Sequence, residues 1–157
     1  MNKSTIRVML VAIGAVAILI AIAAARNGSG ASTQAKSGAH PGSDIDWLTS
    51  LEPALAKAKE TGQPVMIDFF ATWCPPCKML DKETYTDPAV IEETKKWIMV
   101  RIDVDQNRSL AQQYWISSIP TLVVVEPDGK ESSRTTGFIP PGAMLKFMGR
   151  GSRTAAL

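Results

Sequence analysis

Hydrophobic positions fall in three regimes along the chain. Residues 8–25, "VMLVAIGAVAILIAIAAA", are eighteen residues without a charge. A soluble helix of that length shows a polar face, and this run has none. With Ile6 included and Arg7 snorkelling, it reaches the ~20 residues that cross a bilayer. The run therefore predicts a single transmembrane signal anchor. Cleavage after the small residues Ala23 to Ala25 is the alternative, and a buried soluble helix is a third reading. Lys3, Arg7 and the free amino group predict a short cytoplasmic N-terminus over residues 1–7, which puts the rest of the chain outside. Residues 26–43 are mostly Gly, Ser and Ala, offer little to bury, and predict a flexible linker.

The third regime, residues 44–150, switches period in a regular way, with 151–157 left as a tail. Leu51, Leu55 and Ala58 share one helical face in "SLEPALAKAKET", and Gly62 supplies a stop. "PVMIDFFA" (64–71) is a short apolar run with one charge and predicts a central strand. Helical spacing follows in "KMLDKETY", and Asp87–Pro88 predicts an N-cap with proline at the first helical position, for a helix ending near Lys96. "WIMVRIDVD" (97–105) predicts a strand, "RSLAQQYW" a short helix after Asn107, and "TLVVVEPDGKESSRTTG" two strands around a turn at Pro127-Asp128-Gly129. A last helix starts at Pro140 or Pro141. Early strand–helix alternation implies parallel pairing, and the late hairpin adds an antiparallel edge. The fold class is α/β: a mixed central sheet with helices on both faces.

Composition narrows the chemistry. A chain of 157 residues with a formal charge of +2 predicts one domain and no nucleic-acid partner. One histidine, His40, sits in the Gly/Ser-rich stretch, which argues against a Ser-His-Asp triad or a His-based metal site. The two cysteines, Cys74 and Cys77, are three residues apart and close too short a loop for a disulfide between them to restrict the unfolded chain much. Structural zinc wants four ligands, so only a dimeric or carboxylate-completed site stands as the metal alternative. No metal and no cofactor is predicted, and a redox-active dithiol is preferred to an inert structural pair.

Cys74 follows the central strand and falls where a helix starts. The unpaired N–H groups and dipole of that first turn favour a thiolate, below the free value of ~8.5. Cys77 lies one turn on and more buried, so Cys74 is the attacking thiol and Cys77 the resolving one. Pro75 and Pro76 remove N–H donors but pre-form the turn. Asp68, a charge inside an apolar strand, is costly unless it has a task or a partner. With a raised pKa it can move the proton of the resolving thiol, which favours a reductant. A structural acid paired with Arg101 is the competing reading.

"DFFATWCPPCK", "IDVDQN", "SSIPTLVVVEPDGK" and "TTG" occur in the order of the landmarks of the thioredoxin-like family, which residues from about 50 to 148 resemble. "KAKETGQPVMIDFFATWC" and "ETYTDPAV" resemble membrane-tethered bacterial members, among them the C-terminal domain of the transmembrane disulfide reductase DsbD. The resemblance implies that Cys74 is the nucleophile, Cys77 the resolving cysteine, Asp68 the buried acid and Trp73 an aromatic shield. It implies a cis Ile119–Pro120 bond facing the pair across a groove, with Ile119 backbone groups free to bind an extended substrate and Gly137 nearby. Pro75 departs from the glycine of ordinary thioredoxin, and Phe70 from a tryptophan often found there.

The expected function is therefore a thiol–disulfide oxidoreductase, mainly a protein-disulfide reductase. Its implied partners are exported protein disulfides, such as an apocytochrome c, and a membrane electron donor. The expected location is the inner membrane with the domain facing the periplasm or cell exterior, or the periplasm after cleavage. An oxidase or isomerase of the same compartment, or a tethered peptide-binding module without turnover, is the alternative.

Overall fold

Val65–Phe70 forms strand β2, at the centre of a five-stranded sheet of order β1-β3-β2-β4-β5. The computed structural model describes residues 44–154. The chain divides into two units, Met1–Gln34 and Ala35–Leu157, and the described residues lie in the second. In chain order the elements are β1 (Trp47–Leu48), α1 (Leu51–Thr61), β2, α2 (Pro75–Met79), a π-helical turn (Leu80–Thr84) and α3 (Pro88–Thr94). Then come β3 (Ile98–Asp103), α4 (Arg108–Gln113), β4 (Thr121–Val125), β5 (Glu131–Thr136) and α5 (Pro141–Thr154). β1, β3 and β2 pair in parallel, while β4 joins β2, and β5 joins β4, antiparallel.

Local chemistry explains the boundaries. Gly62 ends α1 in the left-handed region, its N–H donating to the Ala58 carbonyl. Asp87 caps α3 by accepting from the N–H groups of Ala89 and Val90, with Pro88 at the first position where no donor is missed. β1 went unpredicted because two residues are too few to set a period.

Both faces of the sheet are covered. α1 buries Leu51, Ala54 and Ala58 on the side of Ile67 and Phe69, where Leu110 of α4 also packs. The π turn, α3 and α5 bury Leu80, Val90, Met144 and Met148 on the side of Met66 and Leu122. β2 is thus buried on both faces, which is why it reads as a continuous apolar run.

The fold assignment is corrected in one respect. Among the described residues the longest helix, α5, has 14 residues, and none is long and apolar enough to cross a membrane. At 1.5 Å per residue it would span about 21 Å against the ~30 Å of a bilayer core. The expected transmembrane helix at 8–25 lies outside the described residues. The anchor, the single-pass location and the membrane electron donor are dropped, since no described helix could cross a membrane.

Candidate active site

The end of β2 builds the site. Ala71 to Cys74 turn the chain out of the sheet, with the Cys74 N–H donating to the Ala71 carbonyl at 3.1 Å. Cys74 is the N-cap of α2 and Pro75 opens the helix, so the second cysteine lands one turn later. Cys74 and Cys77 form a disulfide with Cα atoms 5.3 Å apart. Cys74 Sγ accepts the Cys77 N–H at 3.3 Å; the two prolines between offer no donor. Both cysteines are buried, in a small apolar cluster with Ala71, against which Phe70, Val104 and Ile119 pack.

Trp73 projects from this cluster, 62% exposed, and its Nε1–H donates to Asp105 Oδ2 at 2.7 Å. The Ile119–Pro120 bond is cis, and Pro120 begins the approach to β4. Gly137 donates its N–H to the Pro120 carbonyl at 2.8 Å from a backbone φ of +89°, a region that glycine enters without penalty. Thr121 Oγ1 sits 2.7 Å from the Ser118 carbonyl, to which it donates, and 3.1 Å from Thr136 Oγ1. Ile119, Pro120 and Gly137 are thus brought together, and Ile119 is carried against the cysteines.

Asp68 lies deeper, fully buried, on the same face of β2 as Phe70, two residues before it. Its register partner on β3 is Arg101, whose Nε approaches Asp68 Oδ2 to 3.1 Å. Arg101 Nη2 approaches Asp81 Oδ1 in the π turn to 2.9 Å. The guanidinium stacks over the Phe70 ring at 4.1 Å and faces Trp47 and Tyr85 at 5.6 and 5.9 Å. The tie from Asp68 to the disulfide therefore runs through Arg101 and Phe70. Both readings of Asp68 meet here: it is paired with Arg101, and it adjoins the residue that backs the cysteines.

Burial, reinforced by the Asp81 carboxylate and opposed by the Tyr85 hydroxyl, pushes Asp68 up to about 8. The Arg101 contact also opposes the shift. The upward direction nonetheless holds, because Asp68 has no exposure and shares that cation with a second carboxylate. Burial likewise raises Asp81 to about 6. It also lowers Arg101 to about 9, against the pull of two carboxylates, which leaves a cation at neutral pH. Near neutral pH the two acids hold about one proton between them, and the cluster is close to electroneutral.

Sequence reasoning missed Asp81, Tyr85 and Asp105. Asp81 stands four residues after Cys77, and that i, i+4 spacing was the available signal. Among the described residues no cluster of His, Cys, Asp and Glu could hold a metal ion.

Comparison with known proteins fits this geometry. Residues 51–151 match the thioredoxin-like domain family. A thioredoxin of Mycoplasmoides gallisepticum is 36% identical over 88 residues, covering 56% of this chain and 84% of that protein. The thiol:disulfide interchange protein DsbD of Vibrio vulnificus is 33% identical over 109 residues, 66% of this chain. The chain spans only 18% of that protein's length. The oxidised C-terminal domain of DsbD from Neisseria meningitidis superposes with a TM-score of 0.57 at 28% identity, covering 64% of this chain and 92% of that one. The expectation of a mainly reducing enzyme is broadened to thiol–disulfide exchange, because the matched fold is common to a thioredoxin and to a thiol:disulfide interchange protein. The chain belongs to the thioredoxin-like family, and its Cys74–Cys77 pair makes it a thiol–disulfide oxidoreductase.

Proposed function

We propose that this domain, residues 44–150, performs thiol–disulfide interchange on protein substrates, acting as an oxidase or isomerase as well as a reductase. In the accepting direction a substrate thiolate attacks Cys74 Sγ, the Cys74–Cys77 bond breaks, and Cys77 leaves as a thiolate. Asp68, protonated near neutral pH, supplies a proton toward that thiolate. A second substrate thiolate then attacks the mixed disulfide at the substrate's own sulfur. Substrate leaves as a disulfide and the enzyme keeps two thiols, so two electrons have moved to the enzyme. The reverse sequence reduces a substrate disulfide, with Cys77 resolving and Asp68 taking up the proton.

One observation carries this reading: the disulfide at the N-terminus of α2, packed against Ile119 beside Pro120. In this reading the backbone groups of Ile119 pair with an extended substrate segment. Gly137 meets Pro120 there, Trp73 adjoins Cys74 in the chain, and in this reading both serve the substrate groove, while the Pro75-Pro76 turn holds the two cysteines one helical turn apart. Direction follows from potential, so the test is the Cys74–Cys77 equilibrium with glutathione, alongside insulin reduction and recovery of a scrambled disulfide protein. Recovery of the scrambled protein is the expected result. Reduction without any oxidase or isomerase activity would return the protein to a dedicated reductase.

A further inference from the structure

Trp115 stands where a large side chain is least expected. α4 ends in a Schellman arrangement, with the Trp115 N–H donating to the Gln112 carbonyl at 3.0 Å and the Ile116 N–H to the Ala111 carbonyl at 2.9 Å. The residue between those two bonds must be left-handed, and glycine or asparagine normally fills it. Here it is tryptophan at φ +54°, the only non-glycine residue with positive φ among the described residues. Arg134 Nη1 donates to the preceding carbonyl, of Tyr114, at 3.1 Å, and the Tyr114 ring packs on Phe69, so the surrounding structure holds the conformation. The ring itself is 85% exposed. The fold therefore bears a backbone penalty and an exposed indole at a position where asparagine would avoid both.

Position says what the ring can meet. Trp115 is four residues before Ile119, which packs on the cysteine cluster. A fully extended chain covers at most about 3.6 Å per residue, so the two Cα atoms lie within roughly 15 Å. An extended substrate segment covers at most that distance in about four or five residues. Tryptophan is the side chain most enriched among residues that dominate binding at protein interfaces.

We infer that Trp115 is a substrate-recognition residue of the exchange reaction: it receives an apolar or aromatic side chain within about five positions of the substrate's reactive cysteine. This rests on the interchange reading above. Strain is held by the scaffold, and the exposed ring is offered to a chain that reaches the site only during turnover.

The test is steady-state reduction of insulin by the full chain with dithiothreitol as electron donor and the uncatalysed rate subtracted, KM and kcat read separately, on wild type and on Trp115→Asn and Trp115→Phe. Asn suits the left-handed backbone, so its urea midpoint should equal or exceed that of wild type. KM for insulin should nevertheless rise about tenfold, the loss typical of a central interface residue, with kcat within about twofold. Phe should recover most of the loss. An unchanged KM in Trp115→Asn would overturn the assignment, as would a fall in kcat that tracks a fall in stability. A Trp115-dependent change in sedimentation of the enzyme alone would assign the ring to a second copy of the chain and also overturn it. If wild type neither reduces insulin nor recovers a scrambled disulfide protein, the interchange reading falls and this one with it; if it only recovers the scrambled protein, KM is compared on that substrate, and active wild type with an unaffected variant removes Trp115 alone.

Discussion

Asp68 and Arg101 are register partners on β2 and β3, and Arg101 Nε stands 3.1 Å from Asp68 Oδ2 with both side chains buried. Parallel pairing sets residues side by side with their side chains on the same face, so this pair is a product of sheet register. Asp81 reaches the same guanidinium from the π turn that follows α2. One cation thus sits between two carboxylates beneath Phe70, and this arrangement governs how the domain responds to pH.

Stability of the wild-type domain is expected to fall as pH rises from 4 to 8. Asp68 has an ordinary value of 3.8 and a folded value of about 8. Between them the folded state keeps a proton that the unfolded state has lost, so stability is full below the lower value and drains away toward the upper one. Asp81 adds the same sign between 3.8 and about 6. Urea unfolding across this window checks the slope, and a rising midpoint would contradict it.

Asp68→Asn should flatten that slope and raise stability at pH 9, where wild type carries the buried charge. It retains size while removing the transferable proton. Exchange should slow by about 10²-fold, the low end for a positioned acid or base. Stopped-flow kinetics of mixed-disulfide resolution, paired with urea unfolding, read both effects. Unchanged kinetics with lost stability would make Asp68 a structural partner of Arg101.

Arg101→Leu should destabilise the domain by about 3–5 kcal/mol at pH 8, because buried carboxylates lose their cation. At pH 5 both carboxylates are largely protonated, given values of about 8 and about 6, and the loss should shrink. Thermal unfolding at the two pH values measures the difference. An equal loss at both would reduce Arg101 to a packing residue against Phe70.

Cys74→Ala should abolish turnover, while Cys77→Ala should accumulate a mixed disulfide through Cys74. In the reduced enzyme Cys74, at the helix N-terminus, should alkylate faster at neutral pH than Cys77. Timed alkylation read by mass spectrometry decides the order. Retained peptide binding by Cys74→Ala without turnover would show that the groove binds independently of the chemistry.

Much of this domain was legible in the sequence because its signals are local. The apolar run at 65–70, the Asp87–Pro88 cap, the Gly62 stop and the spacing of Cys74 and Cys77 each act within a few residues, where backbone sterics and hydrogen bonding decide. What only the tertiary structure decided is which distant groups meet. Arg101 comes beside Asp68 through strand register, Asp81 reaches the same guanidinium from a π turn that no hydrophobic period announces, and Gly137 meets Pro120 across an antiparallel pair. Trp115 shows the same division. The sequence showed a short helix there, but only the folded chain reveals a tryptophan held left-handed in solvent. Charges and carbonyls far apart in sequence interact over a few ångströms, and folding alone sets those distances.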